Sequence, residues 1–230
     1  MNQKLFTTTL ALLLVASLTA QISFGPRAGF NLTNMNQTVE AFGMSISPDT
    51  DFKPGFQVGL VAHIPLLGEF LAIQPGLLFA QQGMRFNLQE DFSGETLEIS
   101  ETVNINYLQM PINAQLSFGV GENARILLQA GPYLGFALNG SRKGKDINWD
   151  WRPGQDMIID FDESIEFGSG DEEMRRFDLG LGFGAGVQFG RLQVGIGYNL
   201  GLANLSNINV VTTRNNGLAF TATWLFGGNR

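Results

Sequence analysis

Residues 177–203 read FDLGLGFGAGVQFGRLQVGIGYNLGLA, with glycine at nearly every second position over much of the stretch. Glycine weakens an isolated strand, because it loses more backbone entropy and packs no side chain. Parity explains its use. Phe177, Leu179, Leu181, Phe183, Ala185, Val187 and Phe189 fall on one face; Asp178, Gly180, Gly182, Gly184, Gly186 and Gln188 fall on the other. After Gly190 and Arg191 the pattern resumes, with Leu192, Val194, Ile196, Tyr198, Leu200 and Leu202 opposing Gln193, Gly195, Gly197, Asn199, Gly201 and Ala203. A period of two is the strand signature, and two such runs across a two-residue turn read as a β-hairpin. One face is apolar. The other is small and polar, so the apolar face must meet something other than a protein core on its far side.

The same alternation recurs through the chain. Phe24 to Leu32, Phe56 to Ile64, Leu71 to Phe79, Leu108 to Phe118, Ile126 to Leu138 and Leu218 to Phe226 each carry an apolar face, and the opposite faces are mostly Gly, Ala, Gln, Asn and Thr. With the hairpin these make eight strands. The connections alternate in length: 33–52, 89–101, 139–175 and 204–214 are long, while 65–69, 119–124 and 190–191 are short. In an up-and-down barrel all the long connections then lie at one end. That asymmetry, with strands of about ten residues, predicts an all-β, eight-stranded antiparallel up-and-down transmembrane β-barrel. Lipid offers the backbone no hydrogen bonds, so only a helix or a closed barrel crosses it. A soluble barrel with its apolar face inward would need a charged exterior, and charges here gather in the connections. Lumenal glycine would let strands bend and make room for Arg27, Tyr107, Gln109 and Tyr133.

The N-terminal MNQKLFTTTLALLLVASLTAQ has Lys4 before an apolar run from Leu5 to Val15. It reads as a secretory signal peptide over 1–20, cleaved after Ala20 or alternatively after Ser17, with the barrel domain over 21–230. The formal net charge of −7 argues against a nucleic-acid partner, and the absence of cysteine excludes disulfides, thiolate metal sites and a lipoprotein anchor.

The stretches GPRAGFNLTNM (25–35), PGFQVGLVAHIPL (54–66), AIQPGLLFAQQG (72–83), NYLQMPINAQ (106–115), AGPYLGFAL (130–138), FDLGLGFGAGVQF (177–189) and YNLGLANL (198–205) resemble the PorT-like outer-membrane β-barrel family of Gram-negative bacteria. The resemblance implies a location in the outer membrane, contact with its lipids and lipopolysaccharide, and insertion by the barrel-assembly machinery. Most members have no assigned activity, and some are linked to protein secretion. The resemblance supplies no catalytic residues.

Few residues suggest chemistry. His63, the one histidine, points to the lumen by parity, and no Ser or acid shares its face nearby on its own strand, so it reads as a polar filler rather than a catalyst. Arg27, Arg125 and Asp178 also face the lumen and could form an internal ion-pair network. Arg125 and Asp178 begin strands at opposite ends, so they are expected to bond Gln and Tyr neighbours rather than each other. Between Pro153 and Met174 stand eight acids and no Lys or Arg: Asp156, Asp160, Asp162, Glu163, Glu166, Asp171, Glu172 and Glu173. Clustered carboxylates can hold Ca²⁺, but DFDESIEFGSGDEE lacks EF-hand spacing, so a solvated acidic loop is expected. DINWDWRPGQDMIIDFD alternates on both sides of a Pro-Gly turn and reads as a hairpin above the membrane. Trp149 and Trp151 on it read either as a contact patch for a protein partner or as packing against strand or headgroups. Finally, apolar parity switches from Leu77 and Phe79 to Met84, Phe86 and Leu88, and likewise between Leu108 and Val103/Ile105. The expectation is that both strands continue past the bilayer through a bulge or sharp twist.

No catalytic, cofactor or metal residue is expected. The sequence therefore predicts a non-enzymatic outer-membrane protein acting through its loops, in adhesion, envelope structure or secretion. A lipid-modifying enzyme and a small-solute channel are the alternatives.

Overall fold

The computed structural model describes residues 22–41, 43–92, 95–148, 157–170 and 173–227. The proposed signal peptide, Trp149, Trp151, Asp156, Asp171 and Glu172 lie outside the described residues. The strands are β1 (Ser23–Ala41), β2 (Met44–Ile46), β3 (Asp51–Leu67), β4 (Leu71–Phe92), β5 (Glu95–Val120), β6 (Ala124–Asn148), β7 (Met157–Ser164), β8 (Phe177–Phe189), β9 (Leu192–Gly201), β10 (Val211–Trp224) and β11 (Phe226–Gly227).

Eight of them close a ring in the order β1, β3, β4, β5, β6, β8, β9, β10, and β10 returns to β1. Every neighbouring pair is antiparallel. The β1–β10 seam runs without a break from Arg27↔Thr223 to Val39↔Val211. Closure removes the sheet edges that lipid could not satisfy. β2 and β7 pair outside the ring, with β1 and β6, and β11 extends the seam below Trp224.

Side-chain exposure follows the predicted parity. Phe30, Phe56, Leu60, Ile112, Leu128, Phe183, Ile196, Phe220 and Trp224 are exposed around the outside. Arg27, Gln57, Gln74, Gln109, Asn113, Gln115, Tyr107, Tyr133 and Gln193 are buried inside. A continuous belt of exposed Phe, Leu, Ile and Val would aggregate in water and is stable only against hydrocarbon.

The long connections are mostly strand. The β4–β5 ladder runs up to Phe92↔Glu95, so the described residues of the expected 89–101 loop are paired strand. In the 139–175 loop, β6 rises to Asn148 and β7 descends beside it, as the expected hairpin. Residues 84–88 and 101–106 are paired, so both strands do continue past the bilayer.

The cause of the parity switch differs from the expectation. Between β4 and β5 the register holds unbroken from Leu78↔Gln109 to Phe92↔Glu95. The same positions keep facing inward: Leu78, Ala80, Gln82 and Met84 on β4 are all buried, as are Gln109, Tyr107, Ile105 and Val103 on β5. What inverts is the surroundings. Level with the bilayer, apolar side chains face out to lipid. Above it the outside is water, so apolar residues move to the inside. Register shifts occur instead on the flanking ladders, between Phe52 and Gln57 on β3 and between Asn106 and Tyr107 against β6.

Candidate functional site

The lumen is filled in two layers of opposite chemistry. The lower layer is polar. Arg27, on β1, donates from Nε to Thr223 Oγ1 on β10 at 2.8 Å, and from Nη2 to Gln74 Oε1 on β4. Gln74 Nε2 then donates to Gln193 Oε1 at 3.0 Å, Gln193 Nε2 to Gln188 Oε1 at 3.0 Å, and Gln188 Nε2 to the Gly190 carbonyl at 3.0 Å. The guanidinium can only donate, so it fixes the amide orientation of the whole relay. Five strands, β1, β4, β8, β9 and β10, are tied together through their lumenal faces.

Nearer the outer end, Asp178 on β8 is fully buried. Its Oδ2 accepts from Asn215 Nδ2 at 3.0 Å and from the Tyr133 hydroxyl at 3.3 Å, and Asn215 Nδ2 also reaches the Tyr107 hydroxyl at 3.2 Å. Glycine makes this layer possible: a Cβ at Gly180 would lie 2.4 Å from the Tyr133 ring, and one at Gly135 would lie 3.2 Å from both Tyr107 and Asp178.

The upper layer is apolar. Met35, Met84, Val103, Ile105, Tyr107, Ala137 and Leu205 form one buried cluster, with Ile165, Phe167 and Met174 packed against it. The cluster closes the outer mouth. The chain on either side of residues 171–172 is pinned by Asn207, whose Nδ2 reaches the carbonyls of Gly168, Gly170 and Glu173 at 3.0, 3.1 and 3.0 Å. Arg176 adds cation–π contacts to Phe136 at 5.7 Å and Phe167 at 5.3 Å.

Between these groups lie small cavities of about 50, 20 and 10 Å³. A single water needs roughly 10–15 Å³ of such space, so each of these has room for one or a few water-sized molecules.

Above the membrane the sheet is held by ion pairs. Arg142 on β6 donates to both carboxylate oxygens of Glu101 on β5, at 2.6 and 3.0 Å, and lies over the Phe161 ring at 5.5 Å. Lys143 meets Asp162 at 2.7 Å.

Of the residues singled out in the sequence, Arg27 and Asp178 behave as expected, bonding Gln and Tyr neighbours. Arg125 does not. It sits at the rim formed by the short turns and pairs with Glu69, also donating to the Glu69 carbonyl at 2.9 Å. The expectation considered only lumenal neighbours, while Glu69 comes from the turn before β4. His63 stands opposite Ser23 across the β1–β3 ladder, a juxtaposition invisible along one strand. Ser23 Oγ donates to the Gly227 carbonyl at 3.2 Å. In the acidic stretch, Asp162 is taken by Lys143, and the Glu173 carboxylate accepts the Gly170 N–H at 2.6 Å. Among the described residues no three His, Asp or Glu side chains converge as metal ligands would.

A closed ring with an apolar exterior and a polar interior defines a transmembrane β-barrel protein. A family model described as outer membrane protein beta-barrel domain matches residues 16–207, and the chain belongs to that family. Its place is the outer membrane. No curated protein matches the chain. Among solved structures, the attachment invasion locus protein Ail of Yersinia pestis is 15% identical, covering 90% of this chain and 99% of its own, with a TM-score of 0.36. Its complex with the heparin analogue sucrose octasulfate gives 15% and 0.33. Neisserial surface protein A is 13% identical, covering 89% and 97%, with a TM-score of 0.37. Scores this low carry no argument about function.

Proposed function

We propose that this is a non-enzymatic outer-membrane barrel that works through its extracellular surface, in adhesion, envelope structure or as an accessory of protein secretion, and that it is a PorT-like member of its family. One observation carries the reading: the outer mouth is closed by an apolar cluster, and β4, β5, β6 and β7 rise above it as a paired sheet. The described residues of these strands build a paired surface rather than an opening. In this reading residues 1–20 are a signal peptide and 21–230 the barrel. Outer-membrane lipids and lipopolysaccharide surround the belt, the barrel-assembly machinery inserts it, and the 139–175 region meets a protein partner.

The small-solute channel is disfavoured by the same closure. In planar bilayers the purified protein should show no stable porin-like conductance. Reproducible single-channel steps would overturn the reading. The lipid-enzyme alternative needs a nucleophile and base facing lipid, whereas His63 is on the lumenal face. The positive test uses intact cells. A photo-crosslinking residue at the exposed Asp160 should give specific adducts, and one at Arg125 on the periplasmic rim should not. Adducts at Arg125 alone would move the working surface to the periplasm.

A further inference from the structure

We propose that the lumen holds a small monovalent anion, of the halide class, between Arg27 and Gln115. Arg27 is 6% exposed at bilayer depth. Both its hydrogen-bond acceptors, the Thr223 hydroxyl and the Gln74 amide oxygen, are neutral. The described ion pairs join Arg125 to Glu69, Arg142 to Glu101 and Lys143 to Asp162, so none neutralises Arg27. The buried acid Asp178 is bonded elsewhere, to Asn215 and Tyr133. A buried, uncompensated guanidinium is among the most costly groups a membrane protein can carry.

The surroundings offer donors to an anion and no carboxylate to a cation. Arg27 and Gln115 line the same cavity of about 20 Å³, together with Gln129, Thr221 and Thr223. Gln115 is 1% exposed, and its Nε2 has no acceptor among the described residues. Thr223 Oγ1 already accepts from Arg27, so its own hydrogen is free to donate. Arg27 has N–H groups left beyond its two bonds. A guanidinium, an amide N–H and a hydroxyl facing one small cavity make a donor set for an anion. The cavity has room for about one water-sized occupant, which suits a single-atom anion. The site is independent of the surface function proposed above, and neither stands or falls with the other.

The test is a thermal titration of the folded, full-length barrel in detergent, read as loss of the compact band on unboiled gels. At fixed ionic strength, replacing sodium gluconate by sodium chloride or bromide should raise the midpoint by about 3–5 °C and saturate. Arg27→Gln should abolish the shift. Gln115→Glu supplies a covalent carboxylate to the same cavity, so this variant should stay folded in gluconate and lose the halide response. Crystals grown in bromide should show an anomalous peak between Arg27 and Gln115. Equal midpoints in gluconate and halide, or a shift that survives Arg27→Gln, would overturn the proposal and leave the cavity to water.

Discussion

Leu128→Arg should cost the barrel about 2–4 kcal/mol of folding free energy in lipid vesicles, while Gln129→Glu should cost little. The two positions adjoin on β6 and lie at nearly the same depth, but on opposite faces. Leu128 is 45% exposed and stands between Leu116 on β5 and Ala185 on β8, inside the apolar belt. A guanidinium there must sit in hydrocarbon or thin the bilayer. Gln129 stands between Gln115 and Gly184 on the lumenal face and lines the same cavities as Arg27. A carboxylate at 129 meets polar groups and an uncompensated cation, which offsets its desolvation. Denaturant titration of each variant folded into vesicles measures the difference. Should Gln129→Glu prove the more damaging, the faces are reversed and the apolar side is the inside of a soluble barrel.

A second large effect is expected at Gly131. A Cβ there would lie 2.0 Å from the Ile112 carbonyl oxygen and 2.8 Å from the Asn113 Cα. Both obstacles are backbone of the adjacent strand, so no side chain can swing aside. Gly131→Ala should therefore force β5 and β6 apart and cost roughly 3 kcal/mol, at the upper end for overpacking, or block assembly outright. Gly119, near the periplasmic end of β5, has nothing within 4 Å of the same added atom, and Gly119→Ala should be close to neutral. Yield of heat-modifiable protein from outer membranes separates the two. Equal yields would mean that strand spacing is not what glycine sets here.

These expectations show how far the sequence reaches. The ring strands were legible because lipid on one side and packed polar groups on the other impose a period of two on Phe24–Leu32 or Leu192–Leu202, and no partner need be known to see it. The switch to Met84, Phe86 and Leu88 was visible too, but its cause was not. Alternation reports which face is apolar, not which face is inward, and the two part company where lipid gives way to water. The Arg27–Gln74–Gln193–Gln188 relay was illegible for another reason. It crosses β1, β4, β9 and β8, and depends on ring order and stagger that no single strand encodes. The Arg125–Glu69 pair and the Ser23–His63 apposition were hidden in the same way. The length of β4 and β5 was underestimated because the polar run QEDFSGETLE (89–98) between them reads as loop in the sequence.

The apolar cap at the outer mouth also sets a direction for breaking the molecule open. Its side chains come from β1, β4, β5, β6 and the segment after β9, so Met35 and Leu205 meet only once the first and last ring strands are joined. It behaves as a latch on the seam. Prising β1 from β10 at that end must tear the cluster open to water, while at the opposite end the described residues join the seam through the pairs Ser23↔Gly227 and Phe24↔Phe226 and the polar bond from Arg27 to Thr223, with no comparable apolar cluster bridging β1 and β10. The seam should fray first at the end of the short turns, and the capped end should be the last to give way.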